Sequence, residues 1–111
     1  MLMHGIELQT AVRYDRHIVY VIFNNSSYGA TYFNNKKNIP EMSELPTHEW
    51  AKFAESFGAI GLRAASLQAL EAGLQNARKH RGVTVIDVLC SKLPETPAYN
   101  YKQRVKDAEV L

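Results

Sequence analysis

The feature that most constrains this chain is an unbroken run of six apolar or aromatic residues, Ile18, Val19, Tyr20, Val21, Ile22 and Phe23. Asn24, Asn25, Ser26 and Ser27 follow it at once. The run has the length of one strand, is rich in β-branched and aromatic side chains, and does not alternate with polar residues. That pattern predicts a strand buried on both faces, as in a parallel sheet covered by helices. Parallel neighbours need long crossover connections, usually helical. Ligands of open α/β sheets bind just outside the carboxyl ends of the strands. The Asn-Asn-Ser-Ser stretch falls there.

The rest of the chain agrees with that architecture. Residues 4–14 are predicted as a helix, because Leu8, Ala11 and Val12 fall at i, i+3 and i+4, with Ile6 able to widen the stripe. Residues 28–35 are expected to form a short helix capped by Ser26 or Ser27, and 36–46 to be irregular, with prolines at 40 and 46. A further helix is expected from about Thr47, burying Trp50, Phe53, Ala54 and Phe57 and ending at Gly58. Residues 59–64 read as a short strand in which Gly61 implies an edge or a close-packed position. Ser66 caps a helix with Leu67, Leu70, Leu74 and Ala77 as its stripe, and residues 83–90 form a second strong strand. The expectation is a three-layer α/β fold with a mostly parallel sheet. Residues 1–92 are expected to form one domain, and 93–111, with Pro94 and Pro97, a tail.

The totals narrow the function classes. The chain has 111 residues and a formal charge of +2, with 13 basic and 11 acidic residues, so no nucleic-acid footprint is expected. No apolar stretch approaches the ~20 residues of a membrane span. Met1, Leu2, Met3 and His4 lack the charged start and the cleavage site of a signal peptide. Cys90 has no internal disulfide partner and is expected as a buried thiol. A cytoplasmic setting is therefore expected. The chain opens directly in a helix whose apolar stripe needs something to cover, and three strands make a thin sheet, so a fragment or one piece of a larger assembly is expected.

The candidate chemistry lies after the first strand. Asn24 and Asn25 stand first, since an Asn carboxamide oxygen is a neutral hard ligand, suited to Mg²⁺ or Ca²⁺ when phosphate and a carboxylate supply charge. The Ser27 carbonyl, two residues on, is placed to join it across a tight turn. Tyr28 and Gly29 follow as donors beside a diphosphate. The same Asn-Asn pattern also suits a plain turn, as the second pair, Asn34 and Asn35, illustrates. His4 is a candidate site-lining residue at a helix start, with a surface or cap role as the bland alternative. His17 and His80 read as link residues. Asp87, inside a strand, reads as buried and paired, or as facing a subunit boundary. No catalytic residue is nominated.

Residues 1–14 (MLMHGIELQTAVRY) followed by IVYVIFNNSSYG resemble the diphosphate-binding domain of thiamine-diphosphate enzymes of the acetolactate synthase, benzoylformate decarboxylase and pyruvate decarboxylase type. HEWAKFAESFGAIGLRA is similar to the next helix and strand of that family, and VTVIDVLC to its closing strand. The resemblance covers about residues 1–92. It implies that Asn25 and the Ser27 carbonyl ligate Mg²⁺ against the diphosphate, with His4, Tyr28 and Gly29 lining the cofactor. In the family an upstream Gly-Asp-Gly triplet supplies the carboxylate ligand, and a glutamate of a partner subunit activates the thiamine ring. This sequence contains neither segment, so the fold is expected to be an incomplete thiamine-diphosphate-binding fold.

The resemblance further implies a homo- or hetero-oligomer acting on a 2-oxo acid, by decarboxylation or carboligation. The isolated chain is expected to be inactive. The alternative is a structural or oligomerisation module that kept the fold and lost the chemistry.

Overall fold

The computed structural model describes residue 1, residues 3–29, residue 31 and residues 40–91. The expected tail at 93–111 and most of the expected 28–35 helix lie outside the described residues. Two compact units are present. The first joins Met1–Asn25 to Thr47–Cys90, and the second takes in Ser26–Pro46 and, among the described residues that follow β3, Ser91.

The first unit holds α1 (Glu7–Arg13), β1 (Ile18–Asn24), α2 (Trp50–Glu55), β2 (Ile60–Ala64), α3 (Leu67–Lys79) and β3 (Val83–Leu89). The sheet order is β1-β3-β2, and both pairings are parallel. Register places Tyr20 beside Val85 and Ile22 beside Asp87, with Leu62 beside Ile86 and Arg63 beside Asp87. Side chains alternate along each strand, so these pairs define two faces.

One face presents Val83 and Val85 to Leu8 and Ala11 of α1, to Ala54 of α2 and to Ala59, with Ile18, Tyr20, Ile22, Phe53 and Phe57 packed against the cluster. Phe53 and Phe57 meet edge to face, with ring centroids 5.1 Å apart. The other face presents Ile86 and Leu62 to α3, with Gly73 facing them. A helix–sheet–helix sandwich results, and β3 runs through its middle with Val83 to Asp87 all buried.

Several expectations need correction. β1 is not buried on both faces. It is an edge strand of the described sheet, and on the face away from α1 Val21 is 37% and Phe23 72% exposed. A continuous apolar run identifies a strand but cannot say whether both faces are covered. The first helix starts at Glu7, with residues 3–6 as turns, and Ile6 is exposed. α2 begins at Trp50 without a side-chain cap. Its first carbonyl acceptor is Glu49, bonded by the Phe53 amide. On α3 the buried residues are Gly73 and Ala77, whereas Leu67 is 81% exposed, because the helix lies against the sheet along its small residues.

Other expectations hold. Ser66 caps α3, its Oγ accepting from the Ala69 amide at 3.1 Å. Gly58 ends the α2 turn at φ 85, a conformation that favours glycine. Gly61 lies on the edge strand β2 and is also closely packed. Cys90, by contrast, departs from expectation: β3 ends at Leu89, so the thiol falls just past the strand and is half-buried rather than buried, 3.4 Å from the Val88 carbonyl oxygen. No helix among the described residues is long and apolar enough to cross a membrane.

Candidate functional site

The carboxyl end of β1 is tied down from three directions. The Asn24 carbonyl accepts from the Cys90 amide at 3.0 Å, continuing the ladder one residue past β3. Asn24 Nδ2 donates to Asp87 Oδ1 at 2.9 Å and to the His48 carbonyl at 3.0 Å. Asn24 and Asp87 share a sheet face, since Ile22, two residues before Asn24, is the register partner of Asp87. The carboxamide therefore links β1, β3 and the segment leading into α2. It also takes up the His48 carbonyl, which lies just outside the α2 ladder. Asn24 is 7% exposed and Asp87 fully buried.

Asn25 is the first residue beyond the strand and is half-buried. It is the member of the Asn pair that the family resemblance assigns as an oxygen ligand. Ser26 adopts φ 52, the left-handed region, so the chain turns sharply directly after it.

In the second unit, Ser27 forms an isolated antiparallel bridge with Glu44. The bonds of that bridge run from the Leu45 amide to the Ser26 carbonyl and from the Tyr28 amide to the Ser43 carbonyl, both at 2.9 Å. They flank Ser27 and turn its own carbonyl away from the Glu44 segment. Tyr28 is exposed, and its carbonyl accepts from Thr31 Oγ1 at 2.9 Å. Gly29 is half-buried with helical backbone.

His4 lies in the turn ahead of α1 rather than at its first residue. Its ring nitrogen is 3.6 Å from Glu7 Oε1, and the side chain is largely exposed. Asp87 is the residue whose part sequence reasoning left open. It is buried and paired with Asn24. A lone acid in the run VTVIDVL was the available signal.

Beside Asp87 a cavity of about 280 Å³ is lined by Glu49, Lys52, Glu55, Gly61 and Arg63, among others. Glu49 pairs with Lys52, and its Oε1 accepts from Arg63 Nη1 at 2.6 Å. The hydrogen bond and charge of Lys52, with the charge of Arg63 adding to them, hold the Glu49 carboxyl below the ordinary glutamate range.

The donor set decides what the strand end suits. An amide oxygen and a main-chain carbonyl are hard, neutral ligands of the kind Mg²⁺ accepts. Among the described residues no group of three or more His, Cys, Asp or Glu side chains is arranged to hold a metal ion. Such neutral donors suit a hard cation only where other groups supply the charge.

Comparison with known proteins gives the family. Residues 1–88 match the thiamine pyrophosphate enzyme family, C-terminal TPP binding domain. The chain belongs to that family. It is 36% identical over 89 residues to an acetolactate synthase of Bacillus subtilis, covering 78% of this chain and 16% of that protein. It is 30% identical over 112 residues to a 3D-(3,5/4)-trihydroxycyclohexane-1,2-dione hydrolase of Halalkalibacterium halodurans, covering 91% of this chain and 17% of that protein. Among solved structures, benzoylformate decarboxylase from Polynucleobacter necessarius superposes with a TM-score of 0.74 at 25% identity, over 82% of this chain and 18% of that one. The chain thus spans less than a fifth of the length of each relative.

Proposed function

We propose that this chain is the C-terminal part of the diphosphate-binding domain of a thiamine-diphosphate-dependent 2-oxo acid decarboxylase or carboligase. In this reading the Asn25 carboxamide and the Ser27 carbonyl are two oxygen ligands of the Mg²⁺ that holds the cofactor diphosphate, and His4, Tyr28 and Gly29 line the same end. The observation that carries the reading is the position of Asn25. It directly follows a parallel strand at the carboxyl edge of the sheet, where α/β folds place their ligands.

Two neutral donors and the diphosphate oxygens leave an octahedral Mg²⁺ shell incomplete. By the family resemblance the remaining, acidic ligand belongs to a Gly-Asp-Gly segment that this sequence does not contain, and the same resemblance implies an oligomer. When bound, thiamine diphosphate supplies an ylid and an electron sink. This chain's residues contribute the placement of the metal–diphosphate end. A reducing cytoplasmic setting, with Cys90 as a thiol, belongs to the same reading.

Calorimetric titration with Mg²⁺ and thiamine diphosphate tests it, on the chain alone and with a polypeptide carrying a Gly-Asp-Gly segment. Firm binding only in the second case is expected. Tight binding by the chain alone would overturn the need for an outside carboxylate. Absence of binding in both cases would favour a structural module that lost the chemistry.

A further inference from the structure

Asp87 has no part in the reading above, yet it is costly where it stands. It is fully buried in the central strand, among Val83, Val85, Ile86 and the half-buried Val88. One oxygen, Oδ1, accepts from Asn24, and the other, Oδ2, is buried with no hydrogen-bond partner among the described residues. Arg63, its register neighbour on β2, sends its guanidinium to Glu49. Burying a carboxylate with half of its acceptors unused opposes folding, and an apolar residue of similar size commonly serves stability as well or better. What the carboxylate does accomplish is specific: it orients the carboxamide of the residue that immediately precedes Asn25.

We infer that Asp87 is a positioning residue for the proposed metal–diphosphate site, acting through Asn24 to fix the point and direction from which Asn25 leaves the sheet. The inference rests on the reading of Asn25 as a metal ligand. With Asp87 in place, the Asn24 side chain bridges to β3 and to the His48 carbonyl, while the Asn24 main chain is held by the Cys90 amide. Without the acceptor at position 87, the side chain loses its tie to β3, and the strand end is held less firmly. The hydrogen bond needs an acceptor rather than a charge, so Asp87→Asn preserves the tether and Asp87→Leu removes it.

The test uses the full chain labelled with ¹⁵N. In Asp87→Leu the order parameter of the Asn25 amide falls, and the Cys90 amide exchanges at least about tenfold faster, while exchange at Val85 and Leu62 changes less than about twofold. In Asp87→Asn all four stay close to wild type. An Asn25 amide unchanged in Asp87→Leu, or a uniform rise in exchange across the sheet, would overturn the inference.

If Asp87→Leu does not fold, the swap Asn24→Asp with Asp87→Asn replaces it. The swap reverses the hydrogen bond between positions 24 and 87 but leaves the His48 carbonyl without its donor, so it should restore part of the order at Asn25 that Asn24→Asp alone loses. Failure to restore any of it would also overturn the inference.

A binding arm separates this inference from the reading beneath it. With the Gly-Asp-Gly polypeptide present, Asp87→Leu should weaken Mg²⁺–thiamine diphosphate binding about tenfold or more, the usual cost of losing a partner that orients a metal ligand. Equal binding by wild type and Asp87→Leu removes the positioning role. If wild type does not bind while Asn25 still loosens in Asp87→Leu, the metal reading falls and the tether to Asn25 stands.

Discussion

A Cβ placed on Gly61 would lie 2.2 Å from the carbonyl oxygen of Ala51. The edge strand β2 and helix α2 therefore touch backbone to backbone, and only glycine allows the approach. Neither partner has a flexible side chain that could give way. Gly61→Ala is expected to destabilise the chain by about 2 kcal/mol or more, as overpacking of a rigid contact does. Urea unfolding followed by circular dichroism measures this, and a loss below about 0.5 kcal/mol would show that α2 moves freely against β2.

Gly73 gives the opposite expectation from the same kind of measurement. It lies in the interior of α3, and an added Cβ would meet Ile86 Cδ1 at 3.4 Å and Leu62 Cδ1 at 3.6 Å, which is ordinary contact. Glycine inside a helix costs roughly 1 kcal/mol relative to alanine. Gly73→Ala should raise stability by about 0.5–1 kcal/mol.

Glu49 makes a pH-dependent contribution. Pairing with Lys52 and Arg63 lowers its folded pKa below the unfolded value, so the folded state favours the ionised form. The stabilisation is fully present above the unfolded glutamate value and disappears as pH falls through the lowered folded value. The melting temperature of Glu49→Gln should therefore lie slightly below that of wild type near neutral pH, with the gap closing on acidification. These side chains are partly exposed, so the gap is small and shrinks with added salt. A gap that widened in acid would contradict the assignment.

Much of the fold was legible because hydrophobic period, caps and breakers agree with one another. The Ser66 cap, the Gly58 stop and the continuous run of β3 each say the same thing as the final packing. β1 misled because a run such as IVYVIF encodes a strand without encoding its neighbours, and its second face carries the exposed Phe23. Leu67 misled because a three-four spacing marks a helix but not which of two adjacent stripes meets the sheet. The small residues Gly73 and Ala77 took that place. At the site, the position of Asn25 after a strand could be read from pattern. The bond from Asn24 to Asp87 could not, since it joins residues 63 apart through a pairing that only the folded sheet creates.

The central claim is that a metal–diphosphate ligand engages the chain at Asn25 and Ser27. Paramagnetic broadening by Mn²⁺, an ion with similar oxygen preferences to Mg²⁺, reports even weak occupancy residue by residue. In ¹⁵N spectra of the chain titrated with Mn²⁺ and thiamine diphosphate, the amide signals of Asn25, Ser26 and Ser27 should broaden first, and Asn25→Ala should abolish the effect. Broadening centred instead on Glu49 and Glu55, or unchanged in Asn25→Ala, would contradict the account.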